Sequence, residues 1–175
     1  LGDGTTQQRT LPLQVATGFV AVAASSSFSG AIKADQTLWL WGNNDTGQLQ
    51  GLPTRYVTPK RMPMDFVSIE SSKDTAFGEF HSQSFGIRQD GSLWAWGDNR
   101  FGQLGDGTTT SRPSPVQVGT GFVQVAAGGH HTLGVKSDGS LWAWGENTQG
   151  ELGKGNLTAS LIPVRIGEGY TMVGA

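Results

Sequence analysis

One short phrase occurs three times in this chain: Leu38-Trp39-Leu40-Trp41-Gly42, Leu93-Trp94-Ala95-Trp96-Gly97 and Leu141-Trp142-Ala143-Trp144-Gly145. It contains all six tryptophans. Within each copy the two tryptophans stand two residues apart, so on an extended strand both indoles project from one face. Trp41, Trp96 and Trp144 are separated by 55 and then 48 residues. That spacing is too long for most helical repeats and fits a propeller blade of several short strands.

A second marker keeps the same rhythm. Leu1-Gly2-Asp3-Gly4-Thr5-Thr6 matches Leu104-Gly105-Asp106-Gly107-Thr108-Thr109, with looser copies at Leu49 and Leu152, so the chain begins inside a repeat. The units run over about 1–48, 49–103, 104–151 and 152–175. Glycine supplies 27 of the 175 residues and charged residues only 15%, a composition for many tight turns and an all-β class.

Each unit has the same internal order. A proline-containing apolar segment (Leu11 to Val15, Val57 to Met62, Pro115 to Val118, Pro163 to Ile166) leads into a short alternating one (Phe19 to Ala23, Phe66 to Ile69, Phe122 to Ala126, Tyr170 to Val173). Alternation of this kind marks strands. A third strand (Gly30 to Lys33, Ser84 to Ile87, Thr132 to Val135) then turns into the tryptophan strand. Asp90-Gly91 and Asp138-Gly139 suit tight two-residue hairpins, whereas Asp35-Gln36 predicts a looser first turn. Gly86 and Gly134, inside strands, predict places where another strand or an aromatic face comes close to the backbone. The reading is three four-stranded blades plus two strands of a fourth, fourteen strands in all.

Several function classes recede on composition alone. A net charge of −2 provides no electrostatic footprint for nucleic acid. Without cysteine there is neither a disulfide framework nor a thiolate metal site. No apolar run approaches the roughly 20 residues of a membrane span, and no basic-plus-apolar leader opens the chain, although Leu1 is compatible with a removed one.

The candidate chemical groups read mostly as scaffold. His130 and His131 are adjacent on a strand edge, so their side chains diverge, and only His81 accompanies them; no metal site is expected. The position of His131 is Phe28 in the first unit and Gln83 in the second. Ser25-Ser26-Ser27 lacks a nucleophile elbow and reads as a polar loop. The Leu104-Gly105-Asp106-Gly107 runs lack the Lys-Ser/Thr of a P-loop. Asp3, Asp90, Asp106 and Asp138 sit singly in turns, so no calcium cluster is expected. Asn44-Asp45-Thr46 and Asn156-Leu157-Thr158 match glycosylation triplets. With the 14 acidic residues dispersed among turns, no catalytic constellation, cofactor or metal is expected.

The one irregularity is length. Phe66 to Gly91 is about eight residues longer than Phe122 to Gly139, which places an insertion around Ser71 to Phe80. Phe77 and Phe80 could anchor a protein contact there, beside Ser71, Lys73, Asp74 and Glu79. These six residues are the candidate partner-binding set.

The string from Gly129 through His130-His131-Thr132-Leu133-Gly134-Val135-Lys136-Ser137-Asp138-Gly139-Ser140-Leu141-Trp142-Ala143-Trp144-Gly145-Glu146-Asn147 to Gly153 resembles the repeat of the regulator of chromosome condensation family. The likeness covers practically the whole chain, and the uniform Asp-Gly-Ser-Leu-Trp-Ala-Trp-Gly phrasing resembles bacterial members. It implies a seven-bladed β-propeller of which these residues form a part, with exposed terminal blades that would permit self-association. It also implies that one of the paired histidines hydrogen-bonds between strands. The resulting expectation is a non-enzymatic scaffold binding a protein partner through its loops. The alternatives are an exchange-factor-like regulator of a small GTPase, an inhibitor of a secreted enzyme, or a structural module of a larger surface protein.

Overall fold

The structure, a computed structural model, describes all residues except 26, 45–48, 50–54 and 73–81. Among the described residues there are twelve strands: β1 (Phe19–Ala24), β2 (Phe28–Lys33), β3 (Thr37–Asn43), β4 (Arg55–Asp65), β5 (Ser68–Ser71), β6 (Gln83–Ile87), β7 (Leu93–Gly97), β8 (Arg112–Gly119), β9 (Phe122–Ala127), β10 (His131–Lys136), β11 (Leu141–Gly145) and β12 (Ser160–Gly167). They form three four-stranded antiparallel sheets, β1-β2-β3-β4, β5-β6-β7-β8 and β9-β10-β11-β12. No helix of the described residues is long and apolar enough to cross a membrane.

The tryptophan strand is third in every blade, as expected, but the blade is out of frame with the sequence unit. Each proline-containing segment pairs backward with the tryptophan strand of the preceding unit: β4 with β3, β8 with β7 and β12 with β11. The two surplus segments, Leu11 to Val15 and Tyr170 to Val173, therefore form no strand, and the count is twelve rather than fourteen. Neither segment joins a ladder among the described residues. Proline within strands is confined to β4, β8 and β12, the outermost strands, where a missing N–H leaves no ladder bond unmade.

Blades pack face to face. One cluster joins Phe28, Ile32, Leu38 and Leu40 of the first blade to Phe66, Ile69 and Trp96 of the second. The next joins Phe85, Ile87, Leu93 and Ala95 to Phe122, Val125, Ala127 and Trp144. Trp96 and Trp144 thus each lie on the blade before their own. Gly86 and Gly134 make the close approaches the sequence predicts. A Cβ at Gly86 would stand 2.5 Å from the Phe66 ring, and one at Gly134 would stand 2.7 Å from Phe122. Ala31 holds this position in the first blade, and there Phe19 is only half-buried, whereas Phe66 and Phe122 are fully buried.

The hairpin turns are built alike. The carboxylates of Asp35, Asp90 and Asp138 accept bonds from the backbone N–H and the hydroxyl of Thr37, Ser92 and Ser140. Those hydroxyl oxygens in turn accept the indole N–H of Trp39, Trp94 and Trp142 at 3.0, 3.0 and 2.8 Å. Hydrogen bonds from the hydroxyl and then the backbone hold each aspartate below its ordinary value of 3.8. A cation lies over each outer indole: Lys33 on Trp39, Arg88 on Trp94 and Lys136 on Trp142. The first turn is no looser than the others, because Gln36 takes the same left-handed conformation, φ 68°, as Gly91 and Gly139 at 75° and 78°.

Candidate functional rim

Opposite the hairpin turns, the first and third connections of each blade emerge on one edge and are laced to the next blade. Ser25 and Ser82 share a hydroxyl–hydroxyl bond of 2.7 Å between blades one and two. Gln83 donates from Nε2 to the carbonyls of Gly128 and Gly129 at 2.7 and 3.3 Å, between blades two and three. Its Oε1 accepts the Ser72 hydroxyl at 2.8 Å, and the Ser72 N–H donates to the Gln83 carbonyl at 3.1 Å. Ser72 and Gln83 are completely buried.

This clamp is the base of the predicted insertion. Residues 72–82 connect β5 to β6, whereas 128–130 make the same connection in the third blade, which confirms an excess of eight. Ser71 ends β5; it is buried, with Oγ 3.5 Å from that of Ser84, and belongs to the root rather than the surface. Lys73, Asp74, Phe77, Glu79 and Phe80 lie outside the described residues, as does His81.

The long loop after each tryptophan strand hangs from one asparagine. Asn99 accepts the Leu104 N–H at 2.9 Å and donates to Asp106 and to the carbonyls of Thr108 and Thr110. Asn147 and Asn44 accept the equivalent N–H of Leu152 and Leu49. Asn44 is therefore buried and engaged, which removes it as a glycosylation acceptor, while Asn156 sits exposed on its loop. Burial would raise the Asp106 carboxyl, but the Thr108 hydroxyl and Arg112, 2.6 Å away, outweigh it and hold it below 3.8. Arg9 and then Thr5 bring the equivalent Asp3 down to about 2.

One contact was not anticipated from the sequence. Phe101, on the second blade's loop, stacks on His130 of the third at 4.1 Å between ring centroids, and His130 Nδ1 lies 2.9 Å from Glu146 Oε2. His130 is thus the histidine that ties one hairpin to the neighbouring loop. His131 lies against Gly128, where its ring would meet an added Cβ. Burial lowers its pKa from 6.5 against the opposing pull of Glu151 and Glu146. Ser25 is spent on Ser82, and the described residues contain no group of three metal-ligating side chains.

Two family models, both described as the regulator of chromosome condensation (RCC1) repeat, match this chain, one at residues 90–135 and 138–172 and the other at 73–103 and 122–151. The chain belongs to the RCC1 repeat family. It is 30% identical over 141 residues to the human E3 ubiquitin-protein ligase HERC2, covering 76% of this chain and 3% of that protein. It is 36% identical over 124 residues to the Xenopus laevis protein RCC2 homolog, covering 65% and 22%. Human WBSCR16 superposes with a TM-score of 0.71 at 21% identity, covering 85% of this chain and 39% of that one. Prp20p of Saccharomyces cerevisiae does so with a TM-score of 0.70 at 24% identity, covering 87% and 39%. The chain spans well under half the length of these RCC1-like proteins, and the structural matches establish a shared propeller fold.

Proposed function

We propose that this RCC1-repeat chain is a non-enzymatic scaffold that holds a protein partner through the insertion between β5 and β6. The observation that carries the reading is the root of that insertion. The connection from β5 to β6 is eight residues longer than its counterpart in the third blade, and Ser72 and Gln83 at its two ends form a completely buried clamp that is itself bonded to the next blade. A segment whose two ends are fixed in this way has a lower ordering cost on binding. Its sequence supplies Phe77 and Phe80 as anchors with Lys73, Asp74 and Glu79 around them, the mixture of aromatic centre and polar rim that protein contacts use. Two solved structures of one similar protein support the reading: Prp20p is described in one by its binding to Gsp1p and histones, and in the other, as yeast RCC1 (Prp20), by its complex with Kap60.

The test removes residues 73–80 and leaves Ser72, His81 and Ser82 as a three-residue connection like that of the third blade. The shortened protein should melt within about 2 °C of the parent and lose the partners that crosslinking and mass spectrometry identify on the intact chain. Undiminished capture by the shortened protein would exclude the insertion as the binding element.

A further inference from the structure

Of the two Asn-X-Thr triplets, one begins with a buried asparagine and the other is presented to solvent. Asn44 is 5% exposed, and its Oδ1 accepts the Leu49 N–H at 2.6 Å. Asn156, Leu157 and Thr158 all stand exposed, Leu157 at 66%. Their loop is nevertheless held in place. Asn147 Nδ2 donates to the carbonyls of Asn156 and Thr158 at 2.6 and 3.0 Å, and Asn147 Oδ1 accepts the Leu152 N–H at 2.9 Å. Within the triplet the Thr158 N–H donates to Asn156 Oδ1 at 3.1 Å, a turn that asparagine forms with the backbone two residues on. It fixes the carboxamide by its oxygen. Asn156 Nδ2 and the Thr158 hydroxyl have no hydrogen-bond partner among the described residues.

The loop of the second blade shows how this side chain comes to be free. There Thr108 stands in the place of Asn156, and its hydroxyl is bonded to Asp106 at 2.7 Å and to Arg112 at 3.3 Å. In the third blade Lys154 replaces that aspartate and Ser160 that arginine. A Cβ at Gly155, beside Asn156, would meet nothing within 4 Å, whereas one at Gly107 would touch Ile162.

We propose that Asn156 is an acceptor for an N-linked glycan, taken from an oligosaccharide carried on a polyprenyl diphosphate. The triplet has the residues of such an acceptor, with Leu157 rather than proline in the middle. In the transfer Asn156 Nδ2 bonds to C1 of the first sugar. The C1–O bond to the diphosphate breaks, its electron pair leaves on the diphosphate, and one Nδ2 proton passes to a base of the transferase. The free Thr158 hydroxyl is the group the transferase recognises. The glycan displaces no bond of the loop, because the turn uses Oδ1 and Asn147 uses only backbone carbonyls. The site is separate from the β5–β6 insertion and does not rest on its role.

The test incubates the purified full chain with a single-subunit eukaryotic oligosaccharyltransferase and a polyprenyl diphosphate bearing the N-acetylglucosamine disaccharide. The transferase preparation is one that modifies the peptide acetyl-Gly-Asn-Leu-Thr-Ala-amide, included in the same reaction. Mass spectrometry of the folded chain should show one added disaccharide, at Asn156, and none at Asn44. Asn156→Gln and Thr158→Ala should each lose the modification, and Thr158→Ser, which restores the hydroxyl, should regain it. An unmodified chain beside a modified peptide, transfer to Asn44 in place of Asn156, or transfer that survives Thr158→Ala would each overturn the proposal.

Discussion

The Gln83 side chain donates to the Gly128 carbonyl at 2.7 Å across the boundary between the second and third blades, while its own carbonyl receives the Ser72 hydroxyl. One buried amide therefore fixes both the root of the insertion and a seam of the propeller. Gln83→Ala leaves an acceptor and a donor without partners in a dry site. It should cost about 2 kcal/mol and lower the melting temperature by about 4–8 °C. A calorimetric melt unchanged from the parent would show that the seam does not depend on this bond.

The close contact of Phe122 with Gly134 makes a second expectation. Gly134→Ala forces the ring aside and should destabilise by about 1–3 kcal/mol. Introduced together with Phe122→Leu, the same alanine should cost less than half as much, because the edge it collides with is gone. A double-mutant cycle in urea measures this coupling. The half-buried Phe19 opposite Ala31 is the natural version of the relaxed arrangement.

The relay from Trp142 to Ser140 to Asp138 should behave as a unit. Ser140→Ala removes both the acceptor of the indole N–H and a donor to the carboxylate, at a cost of about 1–2 kcal/mol, and should bring the Asp138 carboxyl back toward its ordinary value. An NMR titration of the Asp138 carboxyl carbon reads the shift directly. A value that does not rise in the variant contradicts the relay.

His131 carries a pH dependence of known sign. Burial lowers its folded pKa below 6.5, so acid favours the unfolded chain, which takes up the proton more readily. The stability that neutral His131 contributes is complete above the unfolded value and is lost as pH falls through the folded one. His131→Gln, which copies Gln83, should flatten the fall in melting temperature between about pH 7 and 5. Parallel curves for parent and variant would assign the acid sensitivity to other groups.

Strand identity and blade number were legible in the sequence because tryptophan spacing, Asp-Gly turns and the aligned glycines all report local geometry. The phase of the blade was not. Whether Pro115 to Val118 pairs forward or backward depends on a ladder between segments tens of residues apart, and no local preference records it. The first turn misled for a related reason. Gln36 is a poor residue for a positive φ, but the side chain of Asp35 and the Thr37 hydroxyl hold it there. Of the candidate rim, the insertion was visible as excess length and Ser71 as its margin, whereas the burial of Ser71 was not. The Phe101–His130 stack was hidden because it joins two blades, although alignment marks its origin: Arg100-Phe101 stands where the other units have Asp45-Thr46 and Thr148-Gln149.

The offset between sequence unit and blade also determines how the molecule can be divided. A cut at Leu49, Leu104 or Leu152, where the repeat begins, strips a blade of its outer strand. A cut ahead of Phe19, Phe66 or Phe122 separates whole sheets. A unit nevertheless carries four strands, the first closing the blade before it and the other three closed by the first strand of the unit that follows. Duplication of one unit inside the array therefore lengthens the propeller by a whole blade, whereas the same unit on its own holds three strands of one blade and one of another.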